Sequence, residues 1–413
     1  MSFDYDVTII GAGPIGSSLA YELAQEGLKV SLIDKKKLVG LPLQCAGIVN
    51  KRISELIDLP DDLILNEAKG AFLHSKNHSL TVSKEETQAY VVDRVALDQF
   101  LFNRADEYVD TFLSSKVVDV DLKRGIVQFK SDSKIKKIHS KLIVGADGPL
   151  SLCSSKINDD FNYYDASQYL VKVDNIEDMN FVDLYACGDL FPGFIWAIPV
   201  YKNIYRIGLF SNDDYKRQSQ ILNEFLENDF KHESYDVLEK YKGKIPIYDK
   251  SNKLFEDRLL LIGDSACQVK PTTGGGLLIG LESVQFAKKA ILNSINEIDF
   301  NRDLNDIQEL DNLLDDLSLY LTQYEKDFED RFLKEFDYQF KVQKTLCTLS
   351  DDDLDYFFIK LKEKDADKLI SEYGDMDNQS KLVKEFIKRG LIVALLPKIH
   401  KKELAKIWLL WYY

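Results

Sequence analysis

Several things are scarce in this chain, and each shortage narrows what it can be. Its 413 residues include five cysteines, Cys45, Cys153, Cys187, Cys267 and Cys347, with no C-x-x-C pair and no zinc-type spacing. Scattered thiols suit a reducing cytosol better than a disulfide framework, and no metal site is expected. No stretch reaches the roughly 18 consecutive apolar residues that a membrane-spanning helix needs. The first apolar strand begins within a few residues of Met1, which leaves no room for a signal peptide. Basic residues are too few: 53 Lys and Arg stand against 68 Asp and Glu, a net charge of -15. No broad basic surface is evident, so nucleic acid is not an expected partner. Internal repeats and low-complexity linkers are also missing. What remains is ordinary for a folded protein, 45% hydrophobic and 29% charged. That length can bury a large core and hold two or three domains.

Residues 5–34 carry the strongest local signal. Val7, Ile9 and Ile10 make a short β run, and Gly11, Gly13 and Gly16 follow in G-x-G-x-x-G spacing. Gly11 allows a tight turn, Gly13 lets a pyrophosphate approach the backbone, and Gly16 lets the next helix pack closely on the sheet. The helix N-terminus offers free N–H groups to phosphates. A second strand then ends on Asp34, placed to accept hydrogen bonds from ribose hydroxyls. The ordered strand, turn, helix, strand and acid make dinucleotide binding the reading.

Next come Lys35, Lys36 and Lys37, then a loop over residues 40–47 that is punctuated by Gly and Pro and contains Cys45. Cys45 reads either as a small buried side chain or as a thiol facing the ligand. Residues 68–92 look like strands, and Asp93 is a plausible N-cap for a helix running through Val95, Leu97, Phe100 and Leu101. Arg94 at that corner can touch a phosphate or pair with a carboxylate. Residues 112–147 read as a β meander whose last strand, Leu142, Ile143 and Val144, runs into Gly145-Ala-Asp-Gly148. Residues 163–245 alternate β-like runs with aromatics. Phe194, Trp196, Ile198 and Pro199 suit either an apolar pocket wall or plain sheet core.

Residues 258–280 form a second strand–glycine–helix unit. Gly263-Asp264 ends a buried strand, and its carboxylate can hold ribityl or ribose hydroxyls. The run Pro271-Thr-Thr-Gly-Gly-Gly276 opens a long helix whose N–H groups point beyond the turn. From residue 301 the chain turns acidic, with helical spacing in Leu310, Leu313, Leu314, Leu317 and Leu321. Its charges read as a solvated helix face. Residues 388–413 combine Lys398, Lys401, Lys402 and Lys406 with Trp408, Trp411 and Tyr412. That stretch suits either a membrane interface or docking on the protein's own core.

Taken together, these motifs resemble the FAD-dependent group that includes aromatic hydroxylases, and within it the geranylgeranyl reductase family. The broader resemblance rests on GAGPIG with Asp34, Asp93-Arg94, GADG and GDSA. The narrower one rests on Pro42-Leu-Gln-Cys-Ala-Gly47, on Pro192-Gly-Phe-Ile-Trp-Ala-Ile-Pro199, and on KPTTGGGL from Lys270. It covers residues 1–300 well and the acidic part poorly. Phe194 and Ile198 depart from the usual Tyr and Phe of the aromatic motif, and Asp34 stands where Glu is frequent.

The resemblance implies a mixed α/β fold with a Rossmann-like FAD domain over residues 1–67, 93–160 and 246–300. A β-sheet substrate domain over 68–92 and 161–245 interleaves with it, and 301–413 forms a helical C-terminal region. It implies FAD contacts at Gly11, Gly13, Ile15, Gly16, Asp34, Lys35, Cys45, Ala46, Gly47, Arg94, Val118, Asp264, Gly275, Gly276 and Leu277. Cys45 would be the catalytic candidate, with the chemistry mainly the flavin's. Phe194, Trp196, Ile198 and Pro199 would wall a tunnel for a polyprenyl chain, whose isolated C=C bonds are saturated. The implied substrate is the geranylgeranyl chain of an archaeal-type membrane ether lipid, so a peripheral position at the cytoplasmic face of the membrane follows. With one G-x-G-x-x-G already committed, the electron donor is NAD(P)H docking transiently or a reduced ferredoxin-type carrier protein. Competing readings are a flavin monooxygenase of aromatics, a reductase of another polyprenyl substrate, and a flavin-free prenyl-lipid carrier.

Overall fold

The computed structural model describes residues 3–159, 161–232 and 234–391. Most of the basic, tryptophan-ended stretch, 392–413, lies outside the described residues, and with it the expected membrane contact.

The strand Tyr5–Ile10 sits inside an eight-stranded sheet. It pairs in parallel with Val30–Ile33 on one side and with the carboxyl half of Lys134–Gly145 on the other. Ile9 stands opposite both Leu32 and Val144, and all three are fully buried. Burial on both faces explains why these runs are continuously apolar rather than alternating. Each such side chain contributes about 1.5–3 kcal/mol. The buried hydroxyls among them, Thr8, Ser31 and Ser140, satisfy one another, with Thr8 hydrogen-bonded to both serines. Leu259–Leu261 adds a parallel strand beyond Lys134–Gly145, and Asp110–Phe112 adds one beyond Val30–Ile33. Parallel neighbours need crossovers, and the helix Pro14–Gln25 supplies the first. The helices Arg94–Asp106 and Leu277–Glu297 pack against it. The expected strand over Leu142, Ile143 and Val144 is the end of a 12-residue strand whose first half carries the meander Lys116–Asp121 and Ile126–Ser131.

A seven-stranded sheet runs in the order Tyr235–Pro246, Tyr163–Val173, Ile204–Ser211, Ile195–Tyr201, Phe181–Tyr185, Gly70–His74, Ser79–Ser83. All its pairs are antiparallel except Phe181–Tyr185 with Gly70–His74. Side chains alternate between its faces. One face buries Ile195, Ala197, Ile207 and Leu209 beneath the helix Tyr215–Asn228. That helix interrupts a region whose sequence reads only as strands. Asp214 caps it by accepting from the Arg217 N–H, and Leu222, Phe225 and Leu226 hold it down. The other face carries Trp196, Ile198, Val182 and Leu184. A three-stranded antiparallel sheet, Ile48–Asn50, Ala89–Val92 and Ile64–Ala68, lies between the larger two in the chain's connectivity.

The acidic region is less detached than its charge implies. Helix Ile307–Phe328 buries Leu313, Leu314, Leu317 and Leu321 against the first sheet's core, as the leucine spacing requires. A π-helical turn, Glu329–Leu333, carries it into Lys334–Leu346, with Phe328, Phe332 and Phe336 packed together. The helices Asp351–Glu363 and Ala366–Tyr373 then fold back onto the strand Ser79–Ser83. Among the described residues, no helix is long and apolar enough to cross a membrane.

Candidate functional site

Three turns converge on one cavity of about 680 Å3: the glycine turn after the first strand, the Cys45 loop, and the turn before Leu277. In the first turn the three glycines do different things. Gly11 has φ +109°, and a Cβ there would collide with the Ala146 carbonyl. A Cβ on Gly16 would collide with the Gly11 carbonyl, so this glycine sets the helix-to-turn distance. Gly13 is ordinary in backbone, φ -69° and ψ 179°, yet no protein atom lies within 4 Å of where its Cβ would be. That space belongs to the cavity, which Gly13 and Ile15 both line.

Two helices present bare N-termini here. Neither Gly13, at the cap of Pro14–Gln25, nor Gly276, at the cap of Leu277–Glu297, supplies a side-chain cap. Neither first turn holds an acidic residue. Unpaired N–H groups and the positive ends of both helix dipoles therefore face one space. Gly275, Gly276 and Leu277 line it, and Asp264 stands beside Gly276. Asp264 keeps some solvent contact through the cavity, but burial pushes its pKa up to about 6 against the pull of Arg94. Arg94 forks onto Asp98 at 3.1 Å from Nε and 3.0 Å from Nη2. Burial works against its charge, but the Asp98 carboxylate holds the guanidinium protonated above its usual range. Of the two readings open for Arg94, pairing with a carboxylate is present, and the residue also lines the cavity.

Cys45 faces the cavity, its Sγ accepting from the Gly47 N–H at 3.4 Å. Its loop is held from the seven-stranded sheet. Gln168 Nε2 donates to the Cys45 carbonyl at 3.3 Å, and Gln168 Oε1 accepts from Trp196 Nε1 at 3.0 Å. Buried Arg206 donates through Nη1 to the Ala46 and Val92 carbonyls at 3.0 and 3.1 Å. A Cβ on Gly47, φ +75°, would collide with that same nitrogen. Burial lowers the Arg206 pKa, with the Asp93 carboxylate opposing.

The C-terminal region closes the far side. Lys270 pairs with Asp377 at 2.7 Å, both side chains under a tenth exposed, and Arg52 adds a second cation to Asp377 at 3.4 Å. Gln379 donates to Thr272 Oγ1 at 2.8 Å, tying the same segment to the Pro271–Gly276 turn. Burial raises the cost of the Asp377 charge, yet Lys270 and Arg52 hold its carboxyl below the usual range.

The expected site residues divide cleanly. Gly13, Ile15, Cys45, Ala46, Gly47, Arg94, Asp264, Gly275, Gly276, Leu277, Phe194, Trp196 and Ile198 all line the one cavity. Gly11, Gly16, Asp34, Lys35, Val118 and Pro199 do not. Asp34 lies behind the glycine turn, where one oxygen accepts from the Ala12 N–H and the other from the Lys36 N–H, each at 2.7 Å. Lys36 reaches the lining, whereas Lys35 is exposed. Val118 is the bulged residue of its strand, between Val117 opposite Phe129 and Asp119 opposite Gln128, with its side chain exposed. Pro199 is buried, and its carbonyl accepts from Asn66. Gln168, Arg206, Asp98 and the Lys270–Asp377 pair were not anticipated. Asp98 was within reach of the sequence, because it lies one helical turn after Arg94. No group of three or more His, Cys, Asp or Glu among the described residues is placed to hold a metal ion.

Comparison with known proteins places this geometry. The family model for an FAD binding domain matches residues 4–296. An uncharacterised protein of Methanocaldococcus jannaschii is 29% identical over 92% of this chain and 94% of its own. A digeranylgeranylglycerophospholipid reductase of Methanococcoides burtonii is 28% identical over 89% of this chain and 90% of its own. Among solved structures, a geranylgeranyl bacteriochlorophyll reductase-like protein from Thermoplasma acidophilum shares the fold. Its TM-score is 0.76 at 22% identity, covering 92% of this chain and 95% of that one. The residues present fit the cofactor: an open cradle at Gly13 for a pyrophosphate, two uncapped helix N-termini, and a half-buried carboxylate at Asp264 lining the cavity. The chain belongs to the FAD-binding-domain family and is an FAD-dependent oxidoreductase.

Proposed function

We propose that this protein saturates isolated C=C bonds in a polyprenyl chain, the geranylgeranyl groups of an archaeal-type membrane ether lipid precursor being the favoured substrate. One observation carries the reading. The cavity that begins at Gly13 and Gly276 continues without a break onto the apolar face of the seven-stranded sheet, past Trp196, Ile198, Val182, Leu184 and Leu73. A small polar or aromatic substrate has no use for so long an apolar wall, whereas a prenyl chain has nothing else to bind to. The names borne by relatives along most of the chain support the same class.

Reduced FAD, when bound, supplies the hydride that an unactivated alkene requires. The protein's part is to orient the chain and exclude water. Phe194, Trp196 and Ile198 offer the hydrocarbon an apolar wall, and Gln168 fixes both Trp196 and the Cys45 carbonyl, coupling wall to loop. In this reading Cys45 holds the proton destined for the second carbon. When FAD is bound, Asp34 and Asp264 would accept from its ribose and ribityl hydroxyls, and the backbone N–H groups of Gly276 and Leu277 would stabilise negative charge on the reduced flavin. Val118 would contact the adenine through backbone groups that its bulge frees from the ladder. The electron donor is NAD(P)H or a reduced carrier protein docking transiently, and the protein works as a peripheral partner of the membrane surface. The test is spectroscopic. Protein reduced anaerobically with dithionite should regain its yellow oxidised spectrum when a geranylgeranyl lipid is added, and should stay bleached with the fully saturated lipid. Equal behaviour with both lipids would remove the proposal.

A further inference from the structure

The cavity has a second end that the mechanism above leaves unused. Lys69, Ala71 and Leu73 alternate along one side of the hairpin at the sheet's edge, and Val82 and Lys84 along the other; all five line the cavity. Ala71 stands opposite Val82 and Gly70 opposite Ser83, and the Lys84 N–H donates to the Lys69 carbonyl at 3.0 Å. The two lysines are therefore cross-strand neighbours on one face. Like charges so placed repel. Lys84 Nζ is tied to the Gly374 carbonyl at 2.8 Å. Among the described residues the Lys69 side chain has no hydrogen-bond or ion-pair partner. Asp375 lines the same cavity and accepts through Oδ1 from the N–H groups of Asp377 and Asn378, at 2.7 and 2.9 Å.

The pair also lies at a telling distance. Gln168, which holds the Cys45 loop, is on Tyr163–Val173, and Lys69 borders Gly70–His74, four strands away in the sheet order. At about 4.8 Å per strand, that is roughly 19 Å of sheet. The intervening surface is apolar, with Trp196, Ile198, Val182 and Leu184 on the same face. Ser83, Lys84, Gln88 and Ser371 are shared with a neighbouring surface groove, so the lysine end opens outward.

We propose that Lys69 and Lys84 are the head-group subsite, binding the phosphate of the prenyl lipid while its chain lies along the sheet toward Cys45. This rests on the prenyl-lipid reading and adds which end of the lipid enters last. A phosphate between the lysines relieves their repulsion and gives Lys69 the partner it lacks, through charge-assisted hydrogen bonds. A head group anchored there holds the near part of the chain against the sheet and presents the far part to the flavin.

The test uses the full-length, FAD-loaded protein and equilibrium binding from detergent micelles. Digeranylgeranylglyceryl phosphate is compared with its phosphate-free alcohol. The wild type should prefer the phosphate by on the order of tenfold or more. Lys69→Met, which breaks no hydrogen bond or ion pair among the described residues, should lose much of that preference, and the Lys69→Met/Lys84→Met double variant should lose all of it. Both should bind the alcohol as the wild type does, and Lys69→Arg/Lys84→Arg should keep the preference. A wild type without preference, or a Lys69→Met variant that retains it in full, would overturn the subsite. Inorganic phosphate alone should compete only at far higher concentration; competition at the lipid's own concentration would assign the lysines to free phosphate instead. Preference without any reduction of either lipid would sink the reductase reading and leave the subsite standing. Reduction of both lipids without preference would do the reverse.

Discussion

Substituting the three glycines of the first turn one at a time separates what holds the fold from what admits the cofactor. Gly11→Ala places a Cβ at φ +109° and against the Ala146 carbonyl, just past the end of the adjacent strand. The backbone strain alone costs about 1–2 kcal/mol, and the collision cannot be relieved without moving two central strands. A loss of about 3 kcal/mol or more is expected, a large share of the roughly 5–15 kcal/mol that a domain has. Gly16→Ala meets the Gly11 carbonyl and should cost a similar amount. Gly13→Ala should behave differently. Its φ of -69° suits any residue and its Cβ would meet no protein atom, so the flavin-free protein should change by no more than about 1 kcal/mol, the scale of an N-cap exchange. The methyl group would instead occupy the space left for the pyrophosphate. FAD affinity should fall at least ~100-fold, about 2.7 kcal/mol. The assay pairs urea unfolding of the flavin-free variants with titration by FAD. If Gly13→Ala unfolds as readily as Gly11→Ala, or binds FAD like the wild type, the assignment of the cradle is wrong.

Three further outcomes follow from the site. Asp264 has a folded pKa of about 6 against an ordinary 3.8, so the flavin-free fold is fully favoured below about pH 4 and loses about 3 kcal/mol as pH rises through 6. Asp264→Asn should remove that loss, and parallel pH–stability curves for variant and wild type would contradict it. Asp377→Asn leaves Lys270 as a buried cation without its ion partner, and the partly exposed Arg52 without its carboxylate, and should cost about 3–5 kcal/mol, more than Lys270→Met, which leaves Asp377 its Arg52 partner. Because the Asp377 pKa is lowered, the stability it contributes is present above about pH 4 and is lost as pH falls below it. Equal costs for the two variants, read by urea unfolding at pH 7, would refute the arrangement. Trp196→Ala should retain FAD while losing turnover of long prenyl chains, and unchanged turnover would take Trp196 out of the tunnel wall.

What could be read from the sequence was local. The units around Gly11 and Gly276 are legible because strand, turn and helix follow one another along the chain, so their residue types and spacing encode the geometry directly. Asp93 as a helix cap and the leucines of Ile307–Phe328 are legible for the same reason. The cavity wall beyond Cys45 is not local. Gln168 meets Trp196 only because Gly208 of the intervening strand stands opposite both, and no spacing rule announces that register. Asp377 lies 107 residues from its partner Lys270, so the acidic region reads as a solvated surface although one edge of it closes the site. The helix Tyr215–Asn228 escaped notice because its few buried positions are diluted by charged and polar neighbours. Lys35 and Lys36 show the limit of a one-residue assignment: a turn decides which of two adjacent lysines reaches the cavity.

The measurement that bears most directly on the central claim is the mass of the product. Anaerobic, dithionite-reduced protein is given digeranylgeranylglyceryl phosphate, and the lipid is recovered and weighed by mass spectrometry. A polyprenyl reductase adds two mass units for every double bond saturated, and the flavin spectrum returns to its oxidised form in step. Lipid recovered unchanged, from protein that instead consumes oxygen with NADPH and an aromatic compound, would contradict the account and identify a monooxygenase.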